Sequence, residues 1–185
     1  QPKVYTSVSV IEYQNFDGSE RREETFLDYE YTDGTEDPST LPSEYSDKDG
    51  HVWIGLLKKA SGHSNSYGED VFGNKYTTSS VNRYTYRKGE FFVDKVDTIS
   101  TSTDLFGNSN TTTSWVKFSY GSLAKGEKGA LRDADFVMLG AEGGSVAEGK
   151  DAYGASYITT TTNTYIFNKG QVYVDKVESL TSGSD

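Results

Sequence analysis

There is no cysteine among the 185 residues. Disulfides, thiolate nucleophiles and cysteine-held metals are thereby excluded, and no redox compartment is demanded. Histidine occurs only at His51 and His63, and that spacing matches no zinc motif. Apolar runs are short. None approaches the roughly 18 residues a membrane-spanning helix needs. The best helical candidate, Leu123 to Arg132, is interrupted by Gly126 and Gly129, each costing about 1 kcal/mol in a helix interior. Phosphate-binding glycine loops, dinucleotide fingerprints and nucleophile elbows are missing. No catalytic residue is nominated, and an enzyme is not the favoured reading.

Positive charge is scarce. Lys and Arg number 18 against 28 Asp and Glu, a formal net charge of -10. Such a surface repels polyanions, so nucleic acid is not an expected partner. It suits solubility, cations or basic partners. Hydrophobic residues are 34% of the chain, yet aromatics are 14% and 14 of them are Tyr. Large amphipathic rings, more than Leu and Ile, must fill the core. The abundance of Tyr, Thr, Ser and Gly, and an opening Gln1 in place of Met, lead us to expect a processed, secreted or extracellular chain.

What is present reads as β-structure. Val4 to Tyr13, Glu24 to Tyr31, His51 to Leu57, Tyr76 to Arg87, Glu90 to Ser100, Thr111 to Tyr120, Asp135 to Leu139, Tyr157 to Phe167 and Val172 to Leu180 are predicted strands. Leu27, Tyr29 and Tyr31 form an expected core face. Asn15 to Gly18, Arg87 to Glu90 and Asn168 to Gly170 carry turn signals. Ala60 to Glu69 and Gly121 to Ala130 are predicted loops. Asp33 to Gly50 is the longest polar stretch and holds two of the three prolines.

The chain also repeats itself. A shift of 81 residues lays Asp70–Thr98 on Asp151–Ser179 with 12 of 29 residues identical and no gap. Internal duplication follows. The expected architecture is one all-β domain, residues 1–185, an antiparallel sandwich or closed barrel built from units at about 24–102 and 111–185. Phe26 to Tyr31 is expected to answer Trp115 to Tyr120. Within the repeat, a short motif recurs three times: Asp70-Val71-Phe72-Gly73, Asp104-Leu105-Phe106-Gly107 and Asp151-Ala152-Tyr153-Gly154. Asp can accept from backbone N–H groups just ahead, Gly supplies a left-handed backbone, and the aromatic is expected to fold back as a plug. A strand-entry corner is the simplest reading.

Function is less legible. Asp33, Glu36, Asp37, Asp47 and Asp49 crowd the long loop and are the candidate ligands for calcium, a hard cation that takes clustered oxygens. An EF-hand fails, because Val52 and Lys58 stand where Gly and Glu belong. Trp53, Tyr45 and Tyr67 are the candidate ligand-binding aromatics. The expectation is a secreted, non-catalytic module that binds a small molecule or glycan with calcium assistance. One alternative is a structural or self-associating subunit, suggested by hydroxyl tracts such as Thr159 to Thr162. The other is a hydrolase using carboxylates such as Asp94 and Asp175.

Overall fold

In the computed structural model, which describes residues 3–87, 90–127, 134–168 and 171–184, nine strands form one antiparallel sheet in the order of the chain. They are β1 (Thr6–Gln14), β2 (Glu20–Tyr31), β3 (Leu57–Glu69), β4 (Lys75–Arg87), β5 (Glu90–Thr103), β6 (Ser109–Leu123), β7 (Ala134–Lys150), β8 (Ser156–Asn168) and β9 (Gln171–Ser184). Two short 3-10 turns, Pro38–Thr40 and Ser43–Tyr45, complete the described elements. The all-β expectation holds. Closure does not: β1 pairs only with β2 and β9 only with β8, and no second sheet forms among the described residues. With nine strands in a meander, β1 and β9 run the same way, so joining them would need a parallel seam in an otherwise antiparallel ladder.

The meander gives the sheet two ends. The turns after β1, β3, β5 and β7 lie at one end, here the tip end. The long segment after β2 and the ends of β4, β6 and β8 lie at the other, the base. The turns expected around Lys88–Gly89 and Lys169–Gly170, and half of the Leu123–Arg132 candidate, fall outside the described residues.

Toward the tips, register is unbroken and the hydroxyl tracts become intelligible. Directly opposed residues on one face are Ser9, Thr25, Ser64, Ser80, Thr98, Ser114, Ser145, Thr161 and Ser179, one from each strand. Cross-strand hydroxyl pairs tie this row and the next: Ser80 to Thr98 at 2.9 Å and Thr78 to Ser100 at 3.0 Å. Their 81-residue counterparts do the same, Thr161 to Ser179 at 3.1 Å and Thr159 to Thr181 at 2.9 Å. Such pairs stabilise a sheet without any apolar partner layer.

Toward the base, the register slips in β3, β5, β7 and β9, twice along β7. Tyr31, Tyr84, Tyr120 and Tyr165 on the even strands follow the slips, which leave Lys58, Asp94, Leu139 and Asp175 without a residue opposite. These are β-bulges, which sharpen twist and re-aim side chains. Asp94 and Asp175 are thus bulge residues of equivalent hairpins.

Two sequence expectations need correction. Val52, Ile54 and Leu56 alternate, but His51 to Leu57 is not a strand. It is part of the long connection, with a single bridge from Val52 to Ser46, a turn at Ile54–Gly55 and a left-handed Gly55 at φ 86°. Conversely, Ala60 to Glu69 is not a loop but most of β3, and β7 runs eleven residues past Leu139 to Lys150. Both segments are rich in Gly and Ser, which argue against a strand. Neighbouring strands supply the missing side-chain bulk. The rings of Tyr76 and Tyr157 lie over Gly68 and Gly149 where a Cβ would sit, and Leu27 and Tyr84 cover Gly62.

Little is deeply buried. Tyr45, Ala60 and Leu123 are the buried apolar residues described, all toward the base. There the long connection folds over β3, and Tyr45 donates its hydroxyl to the Leu57 carbonyl. Rings pack on both sheet faces, Phe91 against Tyr29 and Tyr84 on one and Phe92, Tyr120 and Phe136 on the other, with centroids 5.0–6.0 Å apart. Burial raises the pKa of Tyr45, Tyr86 and Tyr120. Leu27, Tyr29 and Tyr31 are half-buried while Asp28 and Glu30 are exposed, as the alternation predicted.

Candidate functional site: the row of hairpin tips

The three motif copies form three successive tip turns of one design. In each, the Gly N–H donates to the Asp carbonyl, and the Asp N–H donates to the carbonyl four residues on. This is a three-residue hairpin loop with a left-handed Gly, at φ 81° for Gly73, 88° for Gly107 and 100° for Gly154. The Asp carboxylate is the strut. Asp104 accepts from the N–H groups of Phe106 and Asn108, both at 2.9 Å, and from the Asn108 side chain at 2.6 Å. Asp70 is held likewise by Phe72 and Asn74, and Asp151 by Tyr153 and Ala155. The Asn108 bond is the main cause that holds the Asp104 carboxyl below its usual range.

A fourth turn belongs with them. Asn15 takes the first position, and Gly18 donates to its carbonyl while Asn15 donates to Ser19. The sequence shows a turn there but hides the kinship, because Asn replaces Asp and Phe16 precedes the charged residue.

Adjacent tips are laced together. Leu105 lies so close over Gly73 that a Cβ there would stand 3.1 Å from it. Asn108 accepts from the Ala152 N–H at 2.9 Å, linking the second motif turn to the third. These contacts join the three motif tips into a continuous ridge.

The aromatics do not fold back as plugs. Phe72, Phe106 and Tyr153 are 72, 80 and 97% exposed. In a three-residue loop the two residues before Gly point away from both strands, so the ring cannot return to the sheet. Val71 and Leu105 beside them, and Phe16 on the fourth tip, are exposed as well. Turn tips are ordinarily Gly, Asn, Asp, Ser or Pro. Here apolar side chains stand at that end of the sheet in a row, about 9.6 Å apart at two strand spacings, and a row of exposed apolar groups signals a contact surface.

The other nominated residues lie apart from the ridge. Tyr45 is buried under the long connection and Trp53 is exposed upon it, its N–H donating to the Tyr45 carbonyl at 2.9 Å. Tyr67 sits on β3, its hydroxyl held by Glu24. The three make no common aromatic patch. Of the nominated acids, Asp33 binds the N–H and hydroxyl of Thr35, and Asp37 caps Ser39. Glu36 accepts from Lys58 at 2.8 Å and from the N–H groups of Asp33 and Gly34. Asp47 accepts from the N–H groups of Asp49 and His51 and meets the His51 ring at 3.1 Å. Asp47, Asp49 and His51 offer three donor atoms within 4.8 Å of one another. Asp94 and Asp175 stand on β5 and β9, about 19 Å apart at four strand spacings, beyond the separation of a glycosidase pair.

No protein-family model, no curated protein and no solved structure matches this chain. No helix among the described residues is long and apolar enough to cross a membrane.

Proposed function

We propose that the protein is a non-catalytic extracellular module that grips an extended glycan along its row of hairpin tips. The observation that carries this reading is the repeated exposed aromatic of Phe72, Phe106 and Tyr153, each on a turn braced by its own Asp. A sugar ring presents a C–H face between its hydroxyls, which suits the electron-rich face of an aromatic ring. Bracing lowers the entropy lost on binding. The tip spacing is close to the length of one disaccharide in an extended β-1,4-linked chain, so each tip would meet every second sugar. Asp70, Asp104 and Asp151 beneath the rings, and the net charge of -10, favour a neutral chain over a sulfated or uronic one. The inferred duplication fits the reading, since copying a hairpin pair copies a binding tip. Calcium assistance would use Asp47, Asp49 and His51. That cluster offers few of the six to eight oxygens calcium takes, and the reading does not depend on it.

Retention on an insoluble β-1,4-linked glucan is the test. The wild-type chain is retained. Phe106→Ala, the central tip, weakens binding by about fivefold or more, as an interface anchor does. The triple variant Phe72→Ala, Phe106→Ala, Tyr153→Ala passes through with its β-sheet spectrum intact. Equal retention of wild type and triple variant would sink the reading.

A further inference from the structure

The sheet exposes 12458 Å², whereas a compact protein of 20.4 kDa exposes about 8,800 Å². Much of the excess belongs to an unclosed sheet, and an unpaired edge is a template for another strand. The outer edge of β9 is the longer of the two. Its bulge at Asp175 interrupts regular pairing there, leaving Lys176 to Ser184 as nine regular residues. The midpoint of that segment is Leu180, 76% exposed, the most exposed large apolar side chain in any described strand.

We infer that two copies of this chain pair antiparallel through β9, with Leu180 facing its own counterpart across a two-fold axis. The axis stands perpendicular to the sheet, which keeps the faces of both copies aligned. Such an axis must pass through a residue and its mate, because neighbouring residues point to opposite faces. Centring on Lys176 or Glu178 would oppose like charges, which destabilises a ladder. Centring on Val177 runs into the bulge after one residue. Centring on Leu180 uses all nine residues. It opposes Ser179 with Thr181 twice, so the hydroxyl rows of one copy run on into those of its partner. It sets Glu178 against Ser182 and Val177 against Gly183, with no like charges opposed. A β1–β9 contact between copies would be parallel if the sheet continued face to face, unlike the eight pairings within the chain. The pairing stands independently of the glycan reading. It would set the two tip ridges at opposite ends of one continuous sheet.

The cysteine-free chain makes the test clean. Sedimentation of the whole chain gives a concentration-dependent dimer. Leu180→Lys, at an exposed site that leaves the fold intact, raises the dimer Kd by about tenfold or more, since two ammonium groups then face each other. Leu105→Lys at a tip leaves it unchanged. Under mild oxidation Leu180→Cys links into a covalent dimer, its Cα atoms being about 5 Å apart. Val177→Cys does not, because its mate lies six residues along, about 20 Å away. A monomer at all concentrations overturns the proposal. So does a dimer that survives Leu180→Lys, or one that links equally well at both cysteine positions.

Discussion

Toward the tips the nine strands keep register, oppose hydroxyl to hydroxyl and leave their turns in water. Toward the base β3, β5, β7 and β9 slip in register, tyrosines follow the slips, and the long connection folds over β3. The same strands therefore pass through two regimes. The tip half is held by its backbone ladder and by side chains that satisfy each other across strands. The base half is held by burial, which is the larger contribution per residue. Cohesion concentrated at one end frees the other to carry apolar groups that the fold itself does not need.

The comparison breaks first if burial is not where the stability lies. Tyr45 is 1% exposed and its hydroxyl is bonded. Tyr45→Ala should cost about 3–5 kcal/mol, the range for emptying a buried aromatic site. Phe106→Ala at a tip should stay within about 0.5 kcal/mol, as exposed positions do. Urea unfolding of the two variants decides the matter, and equal losses would erase the distinction between the halves. A smaller effect probes the exception within the tip half, where the Tyr157 ring occupies the space above Gly149. Gly149→Val must displace that ring and should cost about 1–3 kcal/mol. A neutral result in the same unfolding assay would mean that the ring does not stand in for the missing side chain.

The regime boundary also explains what could be read from the sequence. Strands β4, β5, β6, β8 and β9 show Thr, Tyr and Val in alternation, and their signal is local. Strand β3 and the far part of β7 are covered by rings supplied by β4 and β8, so Gly62, Gly68 and Gly149 look like breaks until the neighbours are in place. His51 to Leu57 fails in the reverse sense: it alternates well but belongs to a connection with a left-handed Gly55. The corner role of Asp70, Asp104 and Asp151 was legible because each carboxylate acts on residues two and four ahead. The exposure of the rings beside them was not. It depends on loop length and on which strands the turn joins, and the motif itself says neither. Closure was overestimated because a list of strands does not say in what order they pair, and it is the meander order that sets a ninth strand parallel to the first.

The smallest effect concerns how the base loop is fastened. Lys58, the bulge residue of β3, donates to Glu36 at 2.8 Å. That bond is the main reason the Glu36 carboxyl titrates at about 2 instead of 4.5. A carboxyl whose folded pKa lies below its unfolded value adds stability that is complete above the unfolded value and is lost as pH falls through the folded one. The contribution is thus whole at neutral pH and disappears between about 4.5 and 2. Glu36→Gln removes the charge, so the variant should melt slightly lower than wild type at pH 7 and the two should converge toward pH 2. Screening by water keeps the difference small. Asp104 at a tip is also lowered, chiefly by Asn108, but Asp104→Asn keeps a side-chain oxygen able to brace the turn and should change the melting profile less. Melting curves across that acid range distinguish the two fastenings. A wild-type and Glu36→Gln pair that stay parallel throughout would show that the Lys58 contact does not hold the loop to β3.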